Sequence, residues 1–468
     1  MLYYQYEITL LHKGDVVMKR TWKILATLLV TTTALSACGT PASTKDGKAP
    51  KEEQTEKEET KGKTDGEEKV ELNFWDLRTE GAAAKMIDTI IANFEKENPN
   101  IKIKRTAFKV DDLRNTIKPA INSGEGPDVF SYDAGAGYLG VLAQAGLALD
   151  LSEYRETYKW DDRFHDWALD KTEYNEGGLY GIANELEMLG VYYNKQLFEE
   201  NQVEVPETYA EFLEVCQVFK DKGITPVIMD DKEQWPGFHY ESIWLNSFVG
   251  ADKVKQAIAG EIPWTSEGFS AALDELYHVF ENGYASEKPL SLASEDANKA
   301  FYAGEGAMRI TGTWLVGACV EHMKDNVGFF YLPPASQDVD DCPPGGLGEA
   351  VVVNAKTKHE EAAVKFIDYM FQMDNMKYWY EAGLIPSVKD VDYSSYEVSA
   401  LFENVVDEIN SSENLGENID VIMPPKVNDV TKNYIQQLIA GKIDGASCME
   451  EKQKAFEEEI ENGNYTVE

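Results

Sequence analysis

The amino-acid sequence predicts an α/β protein, because stretches typical of buried strands alternate with stretches typical of amphipathic helices. The clearest example is an apolar strand at 70–75 followed by a helix with apolar residues at helical spacing. The second half repeats the alternation and starts it with a helix-capping motif at 208–211. With 468 residues, the chain is long enough for two large lobes or three small domains.

The first half contains two predicted strand–helix units. After the strand at 70–75, the helical face consists of Met86, Ile87, Ile90, Ile91 and Phe94. The helix ends at Asn98-Pro99-Asn100, and an extended run resumes at Ile101. A further short buried strand at 127–130 leads through a loop into an apolar stretch at 139–147. Repeated alternation of this kind predicts a mainly parallel sheet.

The second half contains clear signals for the start and the end of a helix. In the capping box at 208–211, Thr208 precedes a helix with Glu211 at its third position, and Gly223 marks the end of that helix. Further helical patterns occupy about 267–281, 359–372 and 430–440. Five tryptophans sit inside helical or mixed apolar patterns and are expected in the core, namely Trp160, Trp167, Trp244, Trp264 and Trp379.

The N-terminal residues predict export. Residues 18–37 combine a basic start, an apolar run and small residues before Cys38, as a signal peptide does. The apolar run is about a dozen residues, short of the roughly 20 that span a bilayer, so a transmembrane helix is the weaker alternative. Leu35-Ser36-Ala37-Cys38 resembles the bacterial lipobox, which implies cleavage before Cys38 and a lipid on its thiol. The alternative is a chance match beside an ordinary secretory cleavage site.

Two segments flank this signal. Residues 1–17 contain Asp15, which is not typical of a signal-peptide start, so we expect translation to begin at Met18. Residues 38–69 are the Cys38 anchor followed by a polar stretch with too few apolar residues to fold, and we interpret it as a solvated tether. An interaction tail is the alternative interpretation. The lipid would hold the protein on the outer face of the plasma membrane.

The composition limits the partners. The chain has 83 Asp and Glu against 44 Lys and Arg, a formal net charge of -39. Such a charge repels phosphate backbones, so we expect no nucleic-acid partner and a ligand that is neutral or cationic. The five cysteines show no C-x-x-C spacing. We therefore expect neither a metal site nor a redox motif, and no cofactor.

Two motifs leave alternatives open. Residues 135–140 match G-x-G-x-x-G after a strand, but no acidic residue closes a second strand about 20 positions on, so we read a tight strand-to-helix turn. The helix N-terminus behind it can still donate hydrogen bonds to a ligand.

Glu185 and Glu187 lie two apart in an extended segment and face the same side. The pair can be the two catalytic carboxyl groups of a glycosidase, it can accept hydrogen bonds from sugar hydroxyls, or it can be solvated at the surface.

Several stretches together carry a family resemblance. They are Gly178-Leu179-Tyr180-Gly181-Ile182, Val191-Tyr192-Tyr193-Asn194-Lys195-Gln196-Leu197-Phe198, Pro206-Glu207-Thr208-Tyr209, Gly124-Glu125-Gly126-Pro127-Asp128-Val129, Phe301-Tyr302-Ala303-Gly304-Glu305-Gly306-Ala307-Met308 and Gly312-Thr313-Trp314. In this order they resemble the bacterial extracellular solute-binding protein family 1, from about residue 70 to the C-terminus. Ala183 and Tyr209 stand where the family pattern has proline and tryptophan.

The resemblance implies a periplasmic-binding-protein-like fold with two discontinuous α/β lobes, a hinge and an interlobe cleft. Lobe 1 would comprise 70–184 and 346–384, and lobe 2 would comprise 185–345 and 385–468. The protein would act as a monomer that captures a sugar or oligosaccharide and delivers it to the transmembrane subunits of an ABC permease, without catalysis. The alternatives are the same fold binding another small polar solute, and a secreted carbohydrate-active enzyme.

The residues expected at the ligand follow from this fold. Ligands bind at the carboxyl ends of strands in such sheets, which favours Trp75 and Asp76 after the first strand and Tyr132 and Asp133 after the strand at 127–130. Asp133 has a helix N-cap role as its alternative.

The remaining candidates come from the family pattern and the crossovers. Relatives present a stacking aromatic where this chain has Trp314, and core packing is the alternative for it. Trp235 lies in a polar, loop-like stretch. The resemblance also implies three crossovers of the chain between the lobes, near 181–187, near 345–349 and near 382–387. Glu185 and Glu187 fall at the first of these, and Gly348 and Glu349 at the second.

Overall fold

A computed structural model describes residues 69–463 of the chain except 176, 341 and 412–414. The signal peptide, Cys38 and the tether therefore lie outside the described residues. Among the described helices, none is both long enough and apolar enough to cross a membrane.

Strands and helices alternate through most of the described chain. The strands are β1 (Val70–Asp76), β2 (Ile101–Ala107), β3 (Val129–Asp133), β4 (Glu173–Tyr174), β5 (Gly178–Leu179), β6 (Ile182–Ala183), β7 (Glu185–Asn194), β8 (Thr225–Ile228), β9 (Gly306–Gly312), β10 (Val327–Phe330), β11 (Pro344–Leu347), β12 (Glu349–Val353), β13 (Ile385–Pro386) and β14 (Gly416–Glu417).

The α-helices fall between these strands and also follow the last of them. They are α1 (Gly81–Glu97), α2 (Val110–Ser123), α3 (Leu139–Gln144), α4 (Arg155–Tyr158), α5 (Trp160–Arg163), α6 (Asp166–Asp170), α7 (Lys195–Asn201), α8 (Tyr209–Asp221), α9 (Trp235–Val249), α10 (Ala251–Ile258), α11 (Phe269–Glu281), α12 (Ser294–Tyr302), α13 (Val316–Met323), α14 (Glu360–Met370), α15 (Met376–Glu381), α16 (Ala400–Ser411), α17 (Ile419–Ile422), α18 (Pro425–Ile439) and α19 (Gly445–Glu461). Single 3-10 turns occur at Ser152–Tyr154, Pro289–Ser291, Thr313–Leu315, Met373–Asn375 and Tyr393–Ser395.

The strands form two main sheets. The first has the order β2-β1-β3-β12-β6, and the second has the order β14-β11-β7-β9-β8, with β10 and β13 also paired to β7. We call the first sheet with its core the first lobe and the second sheet with its core the second lobe. The prediction of an α/β chain with two lobes is confirmed.

The sheets are mixed, so the expectation of a mainly parallel sheet was wrong. β1 is parallel to β2 and β3, and β8 is parallel to β9. However, β7 is antiparallel to β9, β10 and β11, and β12 is antiparallel to β3 and β6. Alternation predicts parallel pairing only where strand and helix follow each other within one lobe. β7 and β12 instead enter a sheet from the other lobe, and they run in the opposite direction.

The cores agree with the predicted apolar faces. Met86, Ile87, Ile90, Ile91 and Phe94 of α1 are all buried in the core of the first lobe. The capping box at Thr208 is present, with both reciprocal hydrogen bonds formed to Glu211. Trp160, Trp244, Trp264 and Trp379 are almost fully buried, as expected for core residues, and the side chain of Trp167 lies outside the described part of the chain.

The chain passes between the lobes at short connections. Asn184 joins β6 of the first sheet to β7 of the second, and Gly348 joins β11 of the second sheet to β12 of the first. β13 pairs with β7, whereas Leu384 and Val388 on either side of it pack in the core of the first lobe. The division of the chain into lobes at the residue numbers given above stays a prediction.

Candidate functional site

The carboxyl end of β1 holds a buried acidic residue that arginine neutralises. Asp76 is fully buried and accepts hydrogen bonds from Arg105 Nε at 2.7 Å and Nη2 at 2.8 Å. Its Oδ1 also accepts from the backbone N–H of Arg78 at 2.8 Å. Trp75 is half-buried with its ring 4.8 Å from that of Phe108. Protein groups thus occupy both carboxylate oxygens of Asp76. A ligand contact for Trp75 and Asp76 stays a prediction.

The carboxyl end of β3 has a similar arrangement. Arg114 of α2 donates to Asp133 through Nε at 2.9 Å and through Nη2, and its guanidinium lies 4.6 Å from the centre of the Tyr138 ring. The cap position of α3 is Tyr138, so the N-cap role considered for Asp133 was wrong. Tyr132 packs edge-on to Tyr138 at 6.3 Å, and burial raises the pKa of Tyr132 to about 12. A ligand role for Tyr132 and Asp133 stays a prediction.

Arg78, which follows β1, joins the crossover strands of the two sheets. Its Nη2 contacts Glu185 at the start of β7 and lies 3.4 Å from Oε2 of Glu349 at the start of β12. Burial lowers the pKa of Arg78, but the negative charges of Glu185 and Glu349 outweigh this effect and raise it. The guanidinium is therefore a permanent positive charge at the junction of the lobes.

Glu187 projects beside the second crossover. A side chain at Gly348 would overlap the Glu187 carboxylate, since its Cβ would lie 1.6 Å from Oε2. Burial raises the pKa of Glu187 well above its usual value, and the nearby charges of Glu185 and Glu349 raise it further. Burial also raises the pKa of Glu349 to about 7. The structure thus brings together four of the sequence-predicted residues: Glu185, Glu187, Gly348 and Glu349.

Aromatic side chains of the second lobe form a cluster of three rings. The rings of Trp235 and Trp314 are 6.3 Å apart, and His239 lies 5.2 Å from Trp235 and 5.5 Å from Trp314. Both tryptophans are half-buried. Trp235 begins α9, so the loop-like environment expected for it was wrong: Pro236 follows at a first-turn position, where proline is favoured. We call these three residues the aromatic cluster.

Polar atoms next to the aromatic cluster have unmet hydrogen-bonding capacity. Nε2 of His239 lies 3.5 Å from Oδ2 of Asp420 on α17. Burial raises the pKa of Asp420, but the hydrogen bond from His239 and the surrounding positive charges, among them Arg114 and Lys432, together outweigh this and lower the pKa. Nδ1 of His239 and Oδ1 of Asp420 are both buried with no hydrogen-bond partner among the described residues. A ligand with donor groups would satisfy both.

The two lobes meet beside these groups. Gly135 has a φ of 98°, which glycine adopts readily, and Gly137 lies against the backbone carbonyl of Met423. The motif at 135–140 is thus a tight turn from β3 to α3, as interpreted from the sequence, and its glycines also allow close approach of the second lobe. Lys432 of α18 has its ammonium 6.0 Å from the Tyr138 ring of the first lobe.

Sequence reasoning missed several residues of this site, among them Arg78, Arg114, His239 and Asp420. Two of them carry a signal in hindsight. His239 lies one helical turn after Trp235 on the same helix, and Arg78 lies two residues after the predicted Asp76. The sequence gives no such signal for Arg114 and Asp420, because their partners Asp133 and His239 are distant along the chain. Among the described residues, no group of three or more His, Cys, Asp and Glu side chains is arranged to hold a metal ion.

Aromatic rings, carboxylates and arginines thus converge where two α/β lobes meet. This arrangement defines a receptor that holds a small polar molecule between lobes. The family model described as bacterial extracellular solute-binding protein matches residues 89–402, more than half of the chain, and the protein belongs to that family.

Individual relatives agree with this assignment. The chain is 27% identical over 342 residues to a multiple sugar-binding protein of Streptococcus mutans, covering 69% of this chain and 77% of the relative. It is 24% identical over 400 residues to an arabinooligosaccharide-binding protein of Halalkalibacterium halodurans, covering 79% and 85% of the two chains. A structure from work on xylan utilization by Caldanaerobius polysaccharolyticus superimposes with a TM-score of 0.75 and 26% identity, covering 82% of this chain and 99% of the other.

Proposed function

We propose that the protein is the extracellular receptor of an ABC importer and binds a sugar or oligosaccharide between its lobes. The aromatic cluster of Trp235, His239 and Trp314 carries this proposal. A pyranose ring has an apolar C–H face that packs on flat aromatic rings, and hydroxyl groups around its edge that donate hydrogen bonds. The cluster supplies the flat surfaces, and the open acceptors on His239 and Asp420 supply partners for hydroxyls.

The names of the two curated relatives support sugar as the ligand class, since both are described as sugar- or oligosaccharide-binding proteins. Capture without hydrolysis is supported by Glu185, because this carboxylate of the pair considered for catalysis is in contact with Arg78. A general acid or a nucleophile would have to be available to the substrate instead.

The delivery step follows from the same fold. Closure of the lobes around a sugar creates a shape that the transmembrane subunits of a permease can distinguish from the open form. A lipid on Cys38 would hold the receptor beside that permease on the outer face of the membrane, and the polar residues 38–69 would act as its tether. We propose that the receptor works as a monomer.

Thermal unfolding in the presence of candidate ligands tests the ligand class. Purified protein is heated with neutral mono- and oligosaccharides, amino acids and polyamines, each at high excess. A ligand at 100 times its Kd adds about 2.7 kcal/mol to the free energy of unfolding, which gives a clear shift in Tm. A shift with one group of sugars is expected. A shift with polyamines or amino acids alone, or conversion of an oligosaccharide to products, would contradict the proposal.

Replacement of the aromatic cluster tests the site. Trp314→Ala and Trp235→Ala should each weaken binding of the sugar found in that screen by roughly 1–3 kcal/mol, because stacking and burial are lost. Isothermal titration calorimetry measures the change. Tyr302→Ala is the matched control, because the Tyr302 ring is also half-buried and stacks on a histidine, His322 at 4.5 Å, that is not part of the aromatic cluster. Unchanged affinity in both tryptophan variants would remove the cluster from the site.

A further inference from the structure

Charged side chains at the junction of the lobes are not balanced. Arg105 neutralises Asp76 and Arg114 neutralises Asp133, each with two hydrogen bonds to the carboxylate. Arg78 faces three further carboxyl groups, namely Glu185, Glu187 and Glu349. We call these three carboxyl groups and Arg78 the cleft floor. Its acidic groups exceed its basic groups by two if all are ionised.

Glu187 has the least compensated carboxyl of the cleft floor. Glu185 contacts Arg78, and Glu349 lies 3.4 Å from Arg78 and accepts a hydrogen bond from Asn184 Nδ2 at 3.3 Å. Among the described residues, by contrast, no hydrogen bond or ion pair is formed by the Glu187 carboxyl. The side chain is only half-buried and occupies the space above Gly348, where a ligand between the lobes can reach it.

Open acceptors nearby point to the same kind of ligand group. Oδ1 of Asn184 has no hydrogen-bond partner among the described residues, although the residue is only 3% exposed. Oδ1 of Asp420, on α17 of the second lobe, is open in the same way. In its ionised form the Glu187 carboxylate, like the amide oxygen of Asn184 and the carboxylate of Asp420, only accepts hydrogen bonds, so the group that satisfies all three must donate. An ammonium group donates three hydrogen bonds and also carries the missing positive charge.

We propose that Glu187 selects a basic sugar: the cleft prefers an oligosaccharide with a protonated amino group, accepts its neutral counterpart less tightly and rejects the corresponding uronic acid. This inference rests on the proposed sugar-binding function. Proton uptake and release follow from it. The groups that face Glu187 are Glu185 on its own strand, Glu349 on β12, Asp133 on β3 and Arg78 after β1, and the three carboxylates all favour its protonated form.

Binding of a cation is coupled to the proton on Glu187. Burial and the neighbouring carboxylates raise the pKa of Glu187 well above its usual value, which favours the protonated carboxyl in the unliganded protein. An ammonium group favours the ionised carboxylate and displaces that proton. Binding of a protonated amino sugar should therefore release a proton from Glu187, whereas binding of a neutral sugar should release much less; both are compared at a pH that keeps the sugar amine protonated.

Matched sugars test the inference. The probes are oligomers of glucosamine, glucose and glucuronic acid in the β-1,4 series, and of galactosamine, galactose and galacturonic acid in the α-1,4 series. Calorimetry in two buffers of different ionisation enthalpy gives the affinity and the number of protons released. In the series that binds, we expect the amino sugar to bind at least about tenfold more tightly than the neutral one and the uronate to show no binding.

Substitution of the carboxyl separates charge from shape. Glu187→Gln keeps the size of the side chain and should remove the preference for the amino sugar and its proton release, while affinity for the neutral sugar stays within about threefold. Glu71→Gln, on an exposed position of β1, is the matched control and should retain the preference.

Each contrary outcome has a distinct meaning. If a neutral sugar or a uronate binds as tightly as the amino sugar, or if Glu187→Gln retains the preference, the inference is wrong while sugar binding stands. If no sugar in this set or in the wider thermal screen binds, the proposed function fails and the inference fails with it.

Discussion

Substitution of Gly137 by alanine tests whether the contact between the lobes limits closure. The Cβ of an alanine at this position would lie 2.6 Å from the carbonyl oxygen of Met423 and 2.9 Å from Nδ2 of Asn428. The first distance is about 1 Å shorter than the optimal separation of non-bonded atoms. The carbonyl belongs to the backbone and cannot rotate away as a side chain can. The lobes must therefore separate slightly wherever an alanine is accommodated.

The expected magnitude follows from the cost of overpacking. One extra methyl group in a close-packed contact costs about 1–3 kcal/mol. If the cost falls only on the closed, liganded form, affinity falls by about 5- to 150-fold. The backbone at Gly137 lies outside the left-handed region, so alanine adds no backbone strain in either form. Stability of the unliganded protein should thus change little, because each lobe has a core of its own.

Two measurements on the same protein test this expectation. Calorimetric titration with the best sugar from the thermal screen gives the affinity, and small-angle X-ray scattering with and without sugar gives the extent of closure. Gly346→Ala is the matched control, since its Cβ would lie 3.6 Å from Cβ of Asn418, an ordinary contact. An affinity of Gly137→Ala within twofold of the unmodified protein would refute the reasoning. An equal loss of stability without ligand would also refute it, because the clash would then damage the fold rather than closure.

Two further predictions concern buried charges. Nζ of Lys452 lies 3.0 Å from Oε1 of Glu241, and both side chains are fully buried. Lys452→Met removes the positive charge beside this carboxylate and should lower the free energy of unfolding in urea by about 3–5 kcal/mol. A loss below about 1 kcal/mol would contradict this expectation. Burial raises the pKa of Glu349 from 4.5 to about 7, so the folded protein binds this proton more tightly than the unfolded chain does. The free energy of unfolding should fall as pH rises through this range, by at most about 1.4 kcal/mol per pH unit for this group. Thermal unfolding scans at several pH values should show a smaller decrease of stability with pH for Glu349→Gln. An equal decrease in the variant would show that Glu349 does not contribute.

The unequal charge of the cleft floor gives these predictions a common basis. A buried carboxyl group lowers the stability of the protein when it is ionised. Such groups occur at functional sites, where the positive charge of a ligand can compensate the negative charge. Glu349 and Glu187 both fit this description, since burial favours the protonated form of each. Stability of the free protein and affinity for a ligand that stays cationic should therefore change in opposite directions with pH.

Local patterns predicted much of the fold correctly. The apolar face of α1 and the capping box of α8 depend on residues three or four positions apart, and both are present in the structure. The family motifs identified the class of fold, and Trp235 and Trp314 do lie together. Strand direction was predicted less well, because β7 and β12 enter their sheets from the other lobe and alternation along the chain does not report such connections.

The sequence by itself determined the helices, the buried strands, the core tryptophans and the family. These properties follow from periodicity and from short motifs, which residues close in the chain produce. Only the tertiary structure decided which charges compensate each other. Arg78 meets Glu185 and Glu349 from 107 and 271 positions away along the chain, and Asp420 meets His239 across two helices. Electrostatic energy depends on distance in space and on burial, and neither is fixed until the lobes have folded and come together.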